Sequence, residues 1–273
     1  MLMDIKYINH MNETLLFGDT KLWIEESDLL DFAWTVKSKN NRITGFERKI
    51  TSKKLTIHIK CGSEGEGFRK KNELFEVFEK DVLGSKHGRF VINGYYLKCF
   101  VTENKKSLII LRNGYMKVEV KVTTDHPYWV KETTTTFGYN IISEGKNLDF
   151  NNDFAYDYTS NMIGKELNNT GFVPVNFRML IYGPAENPAV NIGGHIYAVN
   201  ASVARNEYLA IDSIAKTVVL KHTDGSETNC FNLRSRESHL FEKIPAGVNF
   251  VSITGDFKFD VTLLEERSEP KWT

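Results

Sequence analysis

The stretch Phe257-Lys-Phe-Asp-Val-Thr-Leu-Leu264 alternates apolar and polar side chains with a period of two residues. Four apolar side chains share one parity: Phe257, Phe259, Val261 and Leu263. Because successive side chains of a strand point to opposite faces, this spacing predicts a strand with one dry face and one wet face. A shift of one residue in register would expose the whole dry face. The stretch therefore fixes how this part of the chain pairs.

Shorter alternating runs in front of this stretch predict strands that pair with it. They lie at 208–212, 218–221 and 251–253, and Cys230 to Leu233 predicts one more. The breaks between them carry turn residues. Asp224-Gly225 is typical, because glycine tolerates positive φ and aspartate bonds its own backbone. Short strands separated by such turns predict an antiparallel sandwich or barrel.

The composition is that of a globular protein without a dominant charge. Of 273 residues, 41% are hydrophobic and 26% are charged, and 35 basic residues balance 35 acidic ones. Because the net charge is zero, the protein has no overall positive electrostatic potential to attract a polyanion. This argues against nucleic-acid binding as the main role. Cys61, Cys99 and Cys230 are odd in number and widely spaced, so we expect buried thiols in a reducing compartment. We expect neither a signal peptide nor a membrane span.

One helix is predicted in a sequence that otherwise favours strands. Apolar residues recur at helical spacing within 69–83, and Gly84 is expected to end the helix in a left-handed conformation. The glycine-rich segment 61–67 in front of it predicts a loop. Asn93-Gly94 and Asn113-Gly114 each predict a β-hairpin, because a type I′ turn needs positive φ at both central residues.

Two domains are expected, at 1–130 and 146–273, with 131–145 as the linker between them. Proline weakens any central strand near 127, and the threonine run after it lacks the alternation of a buried strand. Residues 149–169, rich in Asn, Asp and Tyr, predict an extended arm or a long loop. Aromatic residues outside a core often anchor interfaces. The interface candidates on this basis are Trp129, Phe154, Tyr156 and Tyr158.

No pattern of residues indicates catalysis, a cofactor or a metal. The seven histidines lack the paired spacing of metal ligands. Gly193-Gly194 lies between strands and predicts a turn, since a phosphate-binding loop would precede a helix. Abundant carboxylates are expected to be surface charge, because a glycosidase pair cannot be inferred without a cleft.

Several short motifs occur in order along the chain: Leu148-Asp-Phe-Asn-Asn-Asp-Phe-Ala-Tyr-Asp-Tyr158, Tyr182-Gly-Pro184, Tyr208-Leu-Ala-Ile-Asp-Ser213, Ile244-Pro-Ala-Gly247 and Glu265-Glu-Arg-Ser-Glu-Pro-Lys-Trp272. Taken together, they resemble the distal tail protein family of phages with long non-contractile tails, and of related prophages, of Gram-positive bacteria. The predicted helix and Asn-Gly hairpins in front of Asp125-His-Pro-Tyr-Trp129 resemble the N-terminal domain of that family.

The resemblance implies an N-terminal, ring-forming β domain related to tail-tube proteins and a C-terminal galectin-like antiparallel β-sandwich. It implies a hexameric ring that joins the tail-tube protein to the tail-tip protein and the receptor-binding baseplate proteins. DNA would only pass through the channel. The protein would be a structural component of the virion tail tip, made in the host cytoplasm, with no enzymatic activity, cofactor or membrane contact.

Carbohydrate binding is the alternative that the galectin likeness raises. Sugar-binding sandwiches commonly stack a tryptophan on the sugar ring, and none of the four tryptophans lies in the predicted sandwich strands. The stretch Asn232-Leu-Arg-Ser-Arg236 does not reproduce the galectin sugar-binding pattern, so no sugar ligands are transferred to it. A third class, a cell-wall hydrolase, has no supporting residue beyond the carboxylates.

Overall fold

A computed structural model describes residues 5–18, 21–105, 108–110, 114–139, 162–163 and 166–272. Within these ranges the chain is antiparallel β-structure with one α-helix, which confirms the predicted fold class. It divides into two compact units. The first comprises Met1–Lys131 together with Glu266–Thr273, and the second comprises Glu132–Glu265.

The first unit holds ten strands and the start of another. They are β1 (Ile5–Ile8), β2 (Thr14–Phe17), β3 (Leu22–Ser27), β4 (Thr35–Lys39), β5 (Arg42–Glu47), β6 (Thr51–Lys60), β7 (Gly88–Ile92), β8 (Tyr95–Asn104), β9 (Leu108–Ile110), β10 (Tyr115–Thr124) and β11 (Trp129–Tyr139). One run of paired strands has the order β2-β1-β7-β8, and β10 pairs with β6, β8 and β9, with β3 on the far side of β6.

The core of the first unit lies between these strands and the helix α1 (Glu64–Leu83). Apolar side chains of β6 and β10 face each other in register, for example Ile57 with Val118 and Ile59 with Met116. Leu74 and Phe78 of α1 are buried among them. The type I′ geometry predicted for Asn93-Gly94 is confirmed, since both residues have positive φ, at 50° and 77°.

The helix begins five residues earlier than the sequence predicted, at Glu64 instead of residue 69. Ser63 is the N-cap, and its hydroxyl accepts a hydrogen bond of 3.3 Å from the Glu66 amide. Glu66 in turn accepts from the amide of Gly62 at 2.7 Å, which forms a variant of a capping box. The predicted loop 61–67 is therefore wrong in its second half. Gly84 is also right-handed, with φ of −78°, and Ser85 takes the positive φ instead.

We expect Ser63→Ala to destabilise the protein by about 1 kcal/mol, because the first turn of α1 loses its side-chain acceptor. Thermal or urea unfolding monitored by circular dichroism measures this loss. Ser63→Asp is the matched control, since aspartate caps as well as serine does. Equal stability of the alanine and aspartate variants would show that the cap contributes nothing.

A buried carboxylate joins α1 to the first strand. Asp81 is fully buried, and it accepts hydrogen bonds from the Tyr7 hydroxyl at 2.5 Å and from the His10 amide at 2.7 Å. His10 Nδ1 lies 2.6 Å from the same carboxylate. Burial, together with the Asp81 bond, raises the pKa of Tyr7 well above its usual range. These contacts place Asp81 in a structural role, because its oxygens are used by its own chain.

The second unit is an antiparallel sandwich. Its strands beyond β11 are β12 (Met162–Ile163), β13 (Glu166–Asn169), β14 (Asn176–Tyr182), β15 (Ala185–Glu186), β16 (Ala189–Ile192), β17 (His195–Ala198), β18 (Ser202–Val203), β19 (Tyr208–Asp212), β20 (Thr217–Lys221), β21 (Glu227–Asn229), β22 (Gly247–Thr254) and β23 (Lys258–Arg267). One sheet has the order β11-β23-β14-β19-β20-β21 and the other the order β13-β22-β16-β17.

Strand β23, which contains most of the stretch 257–264, lies in the core of this sandwich. Phe259 and Val261 of β23 are fully buried and pair with Ile181 and Met179 of β14. The alternation predicted from 257–264 is confirmed, and the apolar face of β23 belongs to one core cluster with residues of the opposite sheet.

Three local predictions differ from the structure. Phe231–Leu233 is a 3-10 helix and not a strand, because Cys230 turns the chain directly after the short β21. The proposed linker 131–145 begins inside β11, whose Thr134 and Thr136 bond Thr262 and Asp260 of β23. Residues 166–169 at the end of the predicted arm form β13.

In the part of the chain that the structure describes, no helix combines the length and the hydropathy that a membrane span requires.

Candidate functional site

The hairpin β4–β5 contributes no side chain to the core cluster of the first unit. Asn40 and Asn41 form its turn with φ of 52° and 62°, values that asparagine tolerates better than most residues. Among the described strands, β4 and β5 pair only with each other, and every residue of β4 is exposed. An isolated two-stranded hairpin is marginally stable in water. We therefore expect another protein surface to pack against this hairpin.

One face of the hairpin is apolar and open to solvent. Val36 and Phe46 are cross-strand partners, and Trp34 meets Phe46 edge-on with 6.5 Å between the ring centroids. The exposed fractions of Val36 and Phe46 are 51% and 59%, where a core face would be buried. We call Trp34, Val36, Ile43 and Phe46 the apolar face. Exposed apolar surface concentrated in this way marks an interaction site.

The opposite face of the hairpin is charged. Lys37 lies 2.5 Å and Lys49 lies 3.2 Å from the two carboxylate oxygens of Glu47. The bond from Lys37 is the main cause that lowers the pKa of Glu47 below its usual range. The hairpin is thus an amphipathic strand pair, with one charged face and one apolar face.

Aromatic rings hold the base of the hairpin. The Arg48 guanidinium stacks within 4.9 Å of the Tyr128 ring centroid and within 5.6 Å of that of Trp34. Burial lowers the pKa of Arg48, and its Nη1 has no hydrogen-bond partner within the described ranges. Nearby, buried Lys53 donates to the carbonyl oxygen of Asp28 at 2.9 Å. The cation–π contacts of Arg48 attach the base of the hairpin to the unit.

The polar groups elsewhere do not converge on a reaction site. Among the described residues, no group of three or more His, Cys, Asp and Glu side chains could hold a metal ion. The three cysteines are buried, and burial raises the pKa of the Cys61 and Cys99 thiols, so neither is a ready nucleophile. The candidate site is therefore the exposed apolar face of the hairpin.

The interface residues predicted from sequence have different outcomes. Trp129 is 1% exposed and packs in the core of the first unit, so its ring is used by its own chain. Phe154, Tyr156 and Tyr158 lie outside the described residues, and their placement at a junction stays a prediction. The interface candidates from sequence do not include the hairpin face. A signal for it is present, since Trp34 and Val36 alternate with Thr35 and Lys37.

The sequence matches no family model and no curated protein, whereas the fold has close counterparts among solved structures. The chain is similar to SPP1 Dit, described as a paradigm of the hub adsorption apparatus in phages that infect Gram-positive bacteria, with a TM-score of 0.61 and 10% identity. That match covers 98% of this chain and 100% of SPP1 Dit.

Chains of the phage p2 baseplate in its activated conformation are similar to it as well. The structure solved with Sr gives a TM-score of 0.63 at 11% identity, and the one with Ca gives 0.63 at 12%. Both cover 99% of this chain and 100% of the p2 chain. The chain therefore has the fold of phage distal tail and baseplate hub proteins over nearly its whole length, as the sequence resemblance implied.

Proposed function

We propose that this protein is the distal hub of a long non-contractile phage tail. Six copies form a ring that joins the tail-tube protein to the tail-tip protein and the receptor-binding baseplate proteins. DNA passes through the channel without specific binding, and the protein acts without enzymatic chemistry. It is made in the host cytoplasm and resides at the virion tail tip.

The hairpin β4–β5 carries this proposal. A chain with a tail-hub fold and an exposed amphipathic hairpin has the parts for self-association, since a cyclic ring repeats one heterologous contact. The apolar face would be covered by the next copy, and the free edges of β4 and β5 would be paired there. We assign the ring to the first unit because the hairpin belongs to it. A formal charge of zero is compatible with a role in protein contacts.

Decoration of isolated tail tubes tests the assignment to the tail end. Purified protein carrying a gold label is mixed with tail tubes and imaged by negative-stain electron microscopy. We expect label at one end of each tube. Label along the tube wall, or none at either end in the presence of the tail-tip protein, would contradict the proposal. Protein with Val36→Asp and Phe46→Asp serves as the control that removes the ring surface.

We expect the second unit not to bind carbohydrate. Phe250 is 72% exposed on the outer face of β22, so its ring is open to stacking on a sugar, and Glu166 and Asn168 of β13 lie beside that strand. A glycan array with the full-length protein measures binding directly. A reproducible micromolar signal that Phe250→Ala removes would establish the carbohydrate-binding alternative.

A further inference from the structure

Charge is distributed unevenly over two adjacent segments of the first unit. From Phe32 to Ser52 the chain carries five basic residues and one acidic residue, Glu47. The basic ones are Lys37, Lys39, Arg42, Arg48 and Lys49. From Leu22 to Asp31 it carries four acidic residues and no basic one. In a chain with zero net charge, the hairpin is a basic element and β3 with its following turn is an acidic one.

The tip of the hairpin contains an unfavourable pair of like charges. Lys39 and Arg42 lie directly opposite each other in the register of β4 and β5, and both are exposed. Like charges at opposed positions destabilise a strand pair. Within the described residues neither side chain forms an ion pair, unlike Lys37, which pairs with Glu47. An external carboxylate at this tip would remove the repulsion.

The strand β3 presents carboxylates at the edge of its sheet. Among the described strands it pairs with β6 alone, and at the start of its other edge the Leu22 carbonyl accepts a hydrogen bond of 3.0 Å from the Gly18 amide. The Glu25 carboxylate lies 2.6 Å from His58 Nε2, while Glu26 lies exposed in a cross-strand row with Thr56 and Glu119. Unpaired strand edges are ready sites for another chain.

A groove lies along the same face. Its volume is about 490 Å³, and Glu26, Asp28, Glu103 and Glu119 line it together with three lysines. Two of those lysines face acidic neighbours of their own, Lys121 at 3.4 Å from Glu103 and Lys105 at 3.9 Å from Glu119. Glu26 has no ion pair within the described ranges, so its carboxylate is available to an incoming cation.

We propose that the acidic edge of β3 and its groove receive the basic hairpin tip of a second copy of this chain. The inference rests on the proposed self-association and adds its direction. Donor and acceptor are different surfaces of one subunit, so the contact is heterologous and repeats around a ring. Complementary charge would mainly select the register of docking and speed encounter, while the apolar face supplies burial.

Complementary charge reversal tests this pairing. One full-length variant carries Lys39→Glu and Arg42→Glu, and the other carries Glu25→Lys and Glu26→Lys. Each alone should need about tenfold more protein for half-assembly than the native chain. An equimolar mixture should recover native assembly, because each reversed hairpin then meets a reversed β3. Analytical ultracentrifugation measures both, and thermal unfolding verifies the fold. Glu26→Lys alone keeps the contact between Glu25 and His58.

The control and the remaining outcomes separate this inference from the proposed function. Glu76→Lys with Glu79→Lys reverses two exposed charges of α1 and should leave assembly unchanged. Charge-reversal variants that each assemble as well as the native chain would overturn the charge pairing and leave the ring in place. Impaired variants that stay impaired when mixed would also overturn it. Native protein that forms no ring under any condition would contradict the proposed function itself.

Discussion

Replacing Val36 and Phe46 with aspartate should abolish ring assembly while the subunit stays folded. These side chains face each other across the hairpin and contribute nothing to the core of the first unit. In an assembled ring both would be buried against a neighbour, where an unpaired carboxylate costs several kcal/mol. Light scattering coupled to size-exclusion chromatography should report a monomer at concentrations where the native chain assembles.

The hairpin offers its own control for this experiment. Thr35 and Gly45 lie on the opposite, charged face, so Thr35→Asp with Gly45→Asp adds the same charge to the same two strands. That variant should still form the ring, with at most about the tenfold loss expected for the charge-reversed hairpin tip. Unchanged assembly of the Val36 and Phe46 variant would show that the apolar face is not the contact. An unfolded variant would be recognised by loss of its cooperative thermal transition.

Gly88→Ala should destabilise the first unit by about 3 kcal/mol, the upper end of what overpacking costs. A Cβ at Gly88 would lie 2.2 Å from Asp81 Oδ2 and 2.2 Å from the Tyr7 hydroxyl. One of these buried atoms must move, which breaks the bond between Tyr7 and Asp81. Urea unfolding followed by tryptophan fluorescence measures the free-energy change.

Gly45→Ala is the matched glycine control, since a Cβ there meets no atom within 4 Å. Its free energy of unfolding should stay within about 0.5 kcal/mol of the native value. If Gly88→Ala proved equally neutral, the tight packing of Asp81 against β1 and β7 would be refuted.

Sequence periodicity predicted the sandwich because the main strands of the second unit, such as β14, β19, β20 and β23, have one buried face. The alternation at 257–264 reports burial, and Phe259 and Val261 of β23 are fully buried. The same kind of signal is ambiguous at the hairpin. Alternation shows that a strand has an apolar face but not whether its own core or a neighbour covers that face. The alternation of Trp34 and Val36 with Thr35 and Lys37 therefore does not distinguish the two cases.

Other differences arise from contacts that no local pattern encodes. The early start of α1 follows from the cap at Ser63, whose capping partner Glu66 was assigned to a loop on account of its glycine neighbours. Trp129 near a proline looked peripheral, yet it is buried by residues distant in sequence. The return of residues 266–273 to the first unit is likewise a tertiary contact, shown by the bond from Asn93 to the carbonyl of Lys271.

Native mass spectrometry of the purified protein, alone and with its tail-tip partner, tests the central claim most directly. The proposed ring predicts a species of six copies that the Val36 and Phe46 variant does not form. A native chain that remains monomeric in both samples, at concentrations well above those of the assembly experiments, would contradict the assignment as a tail hub.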